Sequence, residues 1–481
     1  MRLLRPITRG KWDQYGAAHL LNRAGFGGTP EEIAELSGQS PHRAVDSLVD
    51  YQDIEDRIPS PTWVDDDSDQ RVRYREFRMM DQAERKQKVR EARREGRQNL
   101  NQMRRWWISR MVESPRPLEE KLTLFWHGHF ATSNRKVKST YCMYRQNQTF
   151  RTHAAGNWRT LLIAASKEPA MLIYLDNGKS RRQSPNENFA RELMELFTLG
   201  EGHYTEADIR EAARALTGWS LDRKRFVFRF RPGMHDGGIK TFMGKEGRLK
   251  GEDIIDAILS RKQASLYISR KLWEFFAYLD PEPEIVDGLA AVLRENNFEF
   301  RPVLRTMFKS SAFYSEKAVR TQVKSPVQWL VSTIKAGALD VPPPFLVSRG
   351  LAALGQDLFN PPNVKGWDGG LTWISASSLV QRYSFTGNLV HGRFNRKRMR
   401  ELDFVQGGAN AREILPESRR DTVRDAMEHL MWRVYQGQIR DEDAKALKEY
   451  AAGRDMPGTW TDRRVREVVQ FMMSTPAYQV T

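Results

Sequence analysis

Between Ser184 and Trp219 the chain reads SPNENFARELMELFTLGEGHYTEADIREAARALTGW, a run that carries two helix-start signals and two apolar stripes within 36 residues. Ser184, Pro185, Asn186 and Glu187 have the pattern of a capping box with proline at the first helical position, so a helix is predicted from Pro185. Phe189, Leu193, Leu196 and Phe197 form its buried stripe, and Gly200 supplies the left-handed residue that ends it. Thr205 with Asp208 repeats the cap; Ile209, Ala212, Ala213 and Leu216 form the second stripe, and Thr217-Gly218 the stop. An αα-hairpin with a tight connection follows.

Charges on the first helix divide by their place around the wheel. Glu187, Arg191 and Glu195 lie opposite the stripe, where side-chain pairs add only a few tenths of a kcal/mol. Glu192 falls on the flank of the buried face, where a carboxylate needs a partner or a raised pKa. Arg214, His203 and the His127/His129 pair are the candidate partners. A structural ion pair and acid/base duty both remain open.

At 481 residues the chain is long enough for two or three cores. Its net charge is +16, and residues 71–114, with fourteen basic and six acidic side chains, carry half of it. From Asp81 to Asn99 that segment has only Ala83, Val89 and Ala92 as apolar material, which predicts a solvated helix. Leu100, Met103, Trp107 and Met111 then regain helical spacing and predict docking on the core. Arg93, Arg94 and Arg97 on the solvated part are candidate anion contacts for an anionic polymer or an acidic partner protein. Sequence-specific nucleic-acid binding is disfavoured, since no base-reading motif is present. The single Cys142 excludes an intramolecular disulfide, a redox pair and a thiolate zinc cage. No run of about twenty apolar residues occurs, so no transmembrane segment is expected. The N-terminus has no signal-peptide h-region, and the chain as given is expected to be cytoplasmic.

The fold class predicted is mostly α, with one small β-hairpin at about 225–243, where RFVFRFR from Arg225 to Arg231 alternates and IKTFM from Ile239 to Met243 is its candidate partner. Thr29-Pro30 and Ser40-Pro41 look like helix starts, and Asp53 to Asp69 like a loop. Helices continue to about Leu339, are interrupted by Pro342-Pro343-Pro344, and resume from about Pro416 to Ser474, after a loop around Gly407. The organisation expected is an N-terminal helical unit (15–70), the basic helix (71–114), a central helical core with the hairpin (115–340) and a C-terminal helical region (341–481).

Three constellations carry possible chemistry. FWHGHF places His127 and His129 two residues apart, which in an extended segment puts both imidazoles on one side, suited to a divalent metal if a third ligand approaches. In MHDGG, Asp236 is placed to orient His235 as a general base, although a turn also explains the sequence. NPPNVKGWDGGLTW presents Lys365, Asp368, Trp367 and Trp373 on a loop; the two tryptophans suit stacking on a sugar, and a plug between helical layers is the alternative. Arg191, Arg214 and Lys240 flank these groups as candidate anion holders. Nucleotide cradles, the serine-hydrolase elbow and the zincin helix are missing, and the loop from Gly200 to Tyr204 is too short for a calcium loop.

ENFARELMELFTLGEGHYTEADIREAARALTGW, HDGGIKTFMG, SRKLWEFF, KSPVQWL, GQDLFNPPNVKGWDGGLTWI and the N-terminal LLNRAGFGGTPEEI together resemble the bacterial family catalogued as domain of unknown function 1800, over nearly the whole chain. The resemblance implies a mostly α-helical fold with no established activity. It further implies export signals in many members and genes beside proteins of a sulfatase/phosphatase fold. This chain departs in lacking a signal peptide, which leaves a periplasmic or extracellular location to the case where such a signal has been removed. Two readings follow: a helical binding or accessory protein using its basic surface, or a metal-assisted or acid/base hydrolase joining Glu192, His127, His129, His235 and Asp236 in a cleft for an anionic or carbohydrate-like substrate.

Overall fold

The computed structural model describes residues 2–64, 80–222, 225–394, 408–437, 439–452 and 460–481. Residues 65–79, which include the start of the basic segment, and the loop at Gly407 lie outside the described residues. Among the described residues there are twenty-two α-helices and two antiparallel sheets of two strands each.

Local signals place many helix starts. Thr29 and Glu32 form a reciprocal capping box, Ser40 caps the next helix, and Thr205 with Asp208 forms a second box. Ser184 does not cap as predicted: its N–H bonds to the Arg181 carbonyl, and Asn186 caps a helix spanning Glu187–Glu195. That helix also ends before Leu196 and Phe197, because the N–H groups of Leu199 and Gly200 both turn back to the Met194 carbonyl, with Gly200 at φ +85°.

The strands pair differently from the sequence expectation. β1 (Trp219–Asp222) pairs with β2 (Val227–Phe230), Trp219 opposite Phe230. β3 (Lys240–Phe242) pairs with β4 (Lys245–Gly247) instead of with β2. Met243 at φ 48° and Gly244 at φ 82° give the doubly left-handed turn that returns a strand at once, so β3 finds its partner three residues on.

Two apolar cores hold the helices. The first gathers the N-terminal helices, the hairpin helices and those between Gly251 and Lys309; the second gathers the helices from Pro326 onwards with the docked end of the Gln82–Glu113 helix. That long helix is mostly exposed from Gln82 to Asn99 and then buries Leu100, Met103, Trp107 and Met111, as its spacing predicts. Between the cores runs the Pro117–His129 helix, buried at every position from Leu118 to His127. It gives Leu122 and Trp126 to one core and Leu124 to the other.

A buried helix with charges on it must pair them. Glu120 has no exposed surface and accepts four bonds: from Arg110 Nε at 2.7 Å and Arg151 Nε at 2.8 Å on one oxygen, and from Arg151 Nη2 and Trp107 Nε1, both at 2.9 Å, on the other. Burial pushes its pKa up, but Arg151 and Arg110 together hold it below the usual value. Glu120→Gln leaves the buried Arg151 guanidinium without a bonded carboxylate and Arg110 with Asp56 as its near partner, so urea unfolding is expected to show a loss of about 3–5 kcal/mol. Asp256→Asn, which breaks the half-exposed pair with Arg159, is expected to cost under about 1 kcal/mol. Equal effects of the two substitutions would contradict the assignment.

A lysine-lined cleft as the candidate functional site

Because the Pro117–His129 helix is helical, residues 121, 125, 128 and 129 share one stripe, and Lys121, Phe125, Gly128 and His129 line a cleft of about 460 Å³. The Lys262–Phe276 helix adds Lys271, Glu274 and Phe275, the segment around Lys324 adds Gln322 and Ser325, and the loop 356–373 adds Lys365, Trp367, Asp368 and Trp373. Four lysines therefore meet the acidic side chains Glu274 and Asp368, and a fifth, Lys317, also lines the cleft but is paired with Glu282.

Lys121 and Lys324 are buried, at 7% and 5% exposure, and among the described residues neither has a carboxylate partner. Lys121 donates to the Gln328 side chain and lies 4.8 Å from the Phe26 ring centroid; Lys324 lies 3.7 Å over Tyr478. Burial pulls both amines well below their usual pKa, and Arg23 adds to this at Lys121, as Arg320 and Arg382 do at Lys324. Arg23 and Arg382 are likewise buried and bonded only to neutral groups. Lys271 is partly exposed and is brought down to about 8 by burial, with Glu274 opposing and Lys365 reinforcing the shift. Burial raises the Glu274 carboxyl.

The loop that closes the cleft is held from behind. Arg104 Nε donates to the Leu358 carbonyl at 3.0 Å and its guanidinium pairs with Asp357. The Phe359 N–H donates to His127 Nε2 at 3.0 Å, and the Phe359 carbonyl accepts from Asn134 N–H at 2.8 Å. Gly366, at φ +87°, passes so close to the Gly128 carbonyl that a β-carbon would sit 2.3 Å from that oxygen. Only glycine fits there.

This geometry corrects several sequence expectations. His127 and His129 are helical, so residues two apart diverge by about 200° and do not face one ligand. His127 is fixed by Phe359, whereas His129 Nε2 donates to the Phe197 carbonyl at 3.0 Å. Burial takes His127 to about 3 and His129 well below its usual value, so both are neutral. Among the described residues no group of three or more His, Cys, Asp or Glu side chains is arranged to hold a metal. Asp236 does not orient His235; it pairs with Arg214 Nε at 2.7 Å, while His235 Nδ1 bonds to the Thr217 carbonyl at 2.9 Å. Arg214 also binds Glu211, Lys240 Nζ donates to the carbonyls of Asp236 and Gly238, and Arg191 makes a two-pronged pair with Glu206. These three cations brace the hairpin and its strands. Glu192 is half-buried and its pKa is raised by burial and then by Glu195, but Arg214 is engaged elsewhere. Of the predicted acid/base and metal residues only His129 reaches the cleft. Trp373 is buried and Trp367 packs its ring 5.5 Å from that of His127, so both serve as cleft wall and loop anchor more than as open stacking faces. Arg93, Arg94 and Arg97 are exposed on the long helix.

Residues 19–480 match the family described as "Protein of unknown function (DUF1800)". The chain belongs to DUF1800. No curated protein and no solved structure matches it. In this DUF1800 chain the segments FWHGHF, SRKLWEFF, KSPVQWL and GQDLFNPPNVKGWDGGLTW, far apart in sequence, converge on one cleft through His129, Lys271, Lys324 and Lys365. Lys121, Lys271, Glu274 and Lys324 were missed by motif reasoning. The available signal was a lysine set among apolar neighbours, as in EKLTLF and SRKLWEFF, the same conflict that singled out Glu192.

The Lys271 shift has a defined pH signature. Below pH about 8 the amine is charged in folded and unfolded chains and the cost of its burial is fully present; between about 8 and 10.5 only the unfolded chain keeps the proton, so stability rises through that window. Lys271→Met is therefore expected to raise the melting temperature below pH 8, with an advantage that shrinks towards pH 10.5. An advantage independent of pH would refute the assignment.

Proposed function

We propose that the cleft binds a small anionic ligand bearing a carboxylate, sulfate or phosphate group. The observation supporting this reading is that Lys121 and Lys324 are buried at the cleft without any carboxylate partner among the described residues. Burial in that state disfavours the charged amine, and an entering anion favours it by supplying the missing counter-charge. The cleft is of a size suited to a small molecule. Aromatic walls from Phe125, Phe275 and Trp373 suit an apolar body attached to the anionic group.

Calorimetry with sulfate, phosphate and a uronic acid tests this. Binding to the full chain is expected, with Lys121→Met and Lys324→Met each weakening it about tenfold or more, equivalent to about 1.4 kcal/mol. Absence of binding for all three anions, or equal affinity in the variants, would overturn the reading.

A second reading is favoured by the exposure of Arg93, Arg94 and Arg97 on a helix that projects little apolar surface. This face engages an anionic polymer or an acidic partner protein, the sulfatase- and phosphatase-like proteins encoded beside family members being candidates. Replacing the three arginines with glutamate is expected to abolish salt-sensitive heparin retention while leaving small-anion affinity in the cleft unchanged. Retention that survives the substitution would remove the helix from consideration.

A further inference from the structure

Lys271 differs from the other lysines of the cleft. Its amine makes no hydrogen bond and no ion pair among the described residues, lies 5.1 Å from the Tyr267 ring centroid, and is only partly buried. The Tyr267 ring is itself held in place, since its hydroxyl donates to the Leu196 carbonyl at 2.7 Å. Glu274 follows one turn later on the same helix and lines the same cleft. Across from them, His129 Nδ1 is buried with no partner, while its Nε2–H is committed to Phe197.

We infer that Lys271 is a nucleophilic amine that condenses with the carbonyl group of an anionic aldehyde or keto acid held in the cleft. An unpaired amine beside other cations and an aromatic surface is the arrangement in which lysine acts as a nucleophile. The inference rests on the anion-binding reading, because Lys121 and Lys324 hold the charged end of the substrate. The Nζ lone pair forms the C–N bond as the carbonyl π pair moves to oxygen. Proton transfer from nitrogen to that oxygen gives the carbinolamine. The C–O bond then breaks with protonation by the Glu274 carboxyl, water leaves, and the remaining N–H proton passes back to the Glu274 carboxylate, leaving a neutral imine. One amine and one carbonyl give one imine and one water, with no oxidant or reductant required. Burial, which lowers the Lys271 amine to about 8 and raises the Glu274 carboxyl, favours both roles.

The full chain is to be incubated with pyridoxal 5′-phosphate, as an anionic aldehyde probe, reduced with borohydride and mapped by peptide mass spectrometry. Lys271 is expected to be labelled at least tenfold faster than the exposed Lys86 and Lys88. Sulfate is expected to compete, and Lys271→Arg to remove the label without loss of the folded state. Glu274→Gln is expected to slow labelling without weakening sulfate binding, a split that a merely structural role would not produce. Labelling spread over surface lysines, or labelling of Lys271 indifferent to sulfate, overturns the proposal. If sulfate binds and depends on Lys121 yet Lys271 is not labelled, the amine chemistry fails and anion binding stands; if sulfate does not bind at all, the underlying reading is what fails.

Discussion

Glu120 is the carboxylate around which the two cores are joined. It ties the long helix, through Arg110 and Trp107, to the Thr140–Thr152 helix, through Arg151, while sitting on the helix that runs between both cores. Arg110 reaches on to Asp56 at 2.7 Å, which secures the chain leaving the N-terminal helices. The same long helix sends Arg104 to the loop at Asp357 and Leu358, and Trp107 packs against both His127 and Phe359. Anchoring of the cleft loop is thus continuous with the bonding of one buried carboxylate, and both depend on the docked half of a helix whose other half is exposed.

Lys121 is the next residue along the chain, and the contrast with Glu120 is informative. Both are buried on one helix, yet Glu120 has two guanidiniums and an indole whereas Lys121 has an amide oxygen and two aromatic rings. Over most of the structure the described charges are matched with care: Arg214 has two carboxylates, Lys309 shares Asp46 with Arg305, and Arg191 has Glu206. Of the buried cations bonded only to neutral groups, Lys121 and Lys324 line the cleft, whereas Lys240 and Arg464 are met by backbone carbonyls elsewhere in the fold. Two buried amines that face an open cleft and have no carboxylate beside them carry a cost that an anionic ligand would remove.

The parts of this arrangement that were legible in the sequence are those governed by local rules. The caps at Thr29, Ser40 and Thr205, the docking residues of the long helix and the mostly α architecture follow from neighbours within a turn or two. The reading failed where tertiary context chose between locally acceptable options. FWHGHF supports either an extended or a helical backbone, and helix continuity from Pro117 decided for the latter, which separates the two imidazoles. RFVFRFR alternates correctly for a strand, but alternation does not name a partner, and the immediate Met243-Gly244 turn withdrew the expected one. The cleft was invisible for a different reason: its lysines lie on segments separated by up to more than two hundred residues, and each alone looks like an ordinary charged residue in an apolar stretch.

Two demands on the cleft have to be reconciled, since an anion raises the pKa of any amine it approaches while nucleophilic attack needs an amine without its proton. The burial gradient meets both. Lys121 and Lys324 are deepest and least able to hold charge alone, so an anionic group gains most by sitting there. Lys271 is nearer the mouth, with exposed Lys365 beside it reinforcing loss of its proton. A ligand oriented with its charge inward places its other end at Lys271 without surrounding that amine with negative charge. An anion at the back of the cleft favours the charged form of Lys121 and Lys324, so affinity falls as pH rises, while the reactive fraction of Lys271 grows in the same direction. The product of the two opposing trends gives a bell-shaped pH dependence for any chemistry at Lys271, and that shape follows from the order in which the lysines are buried.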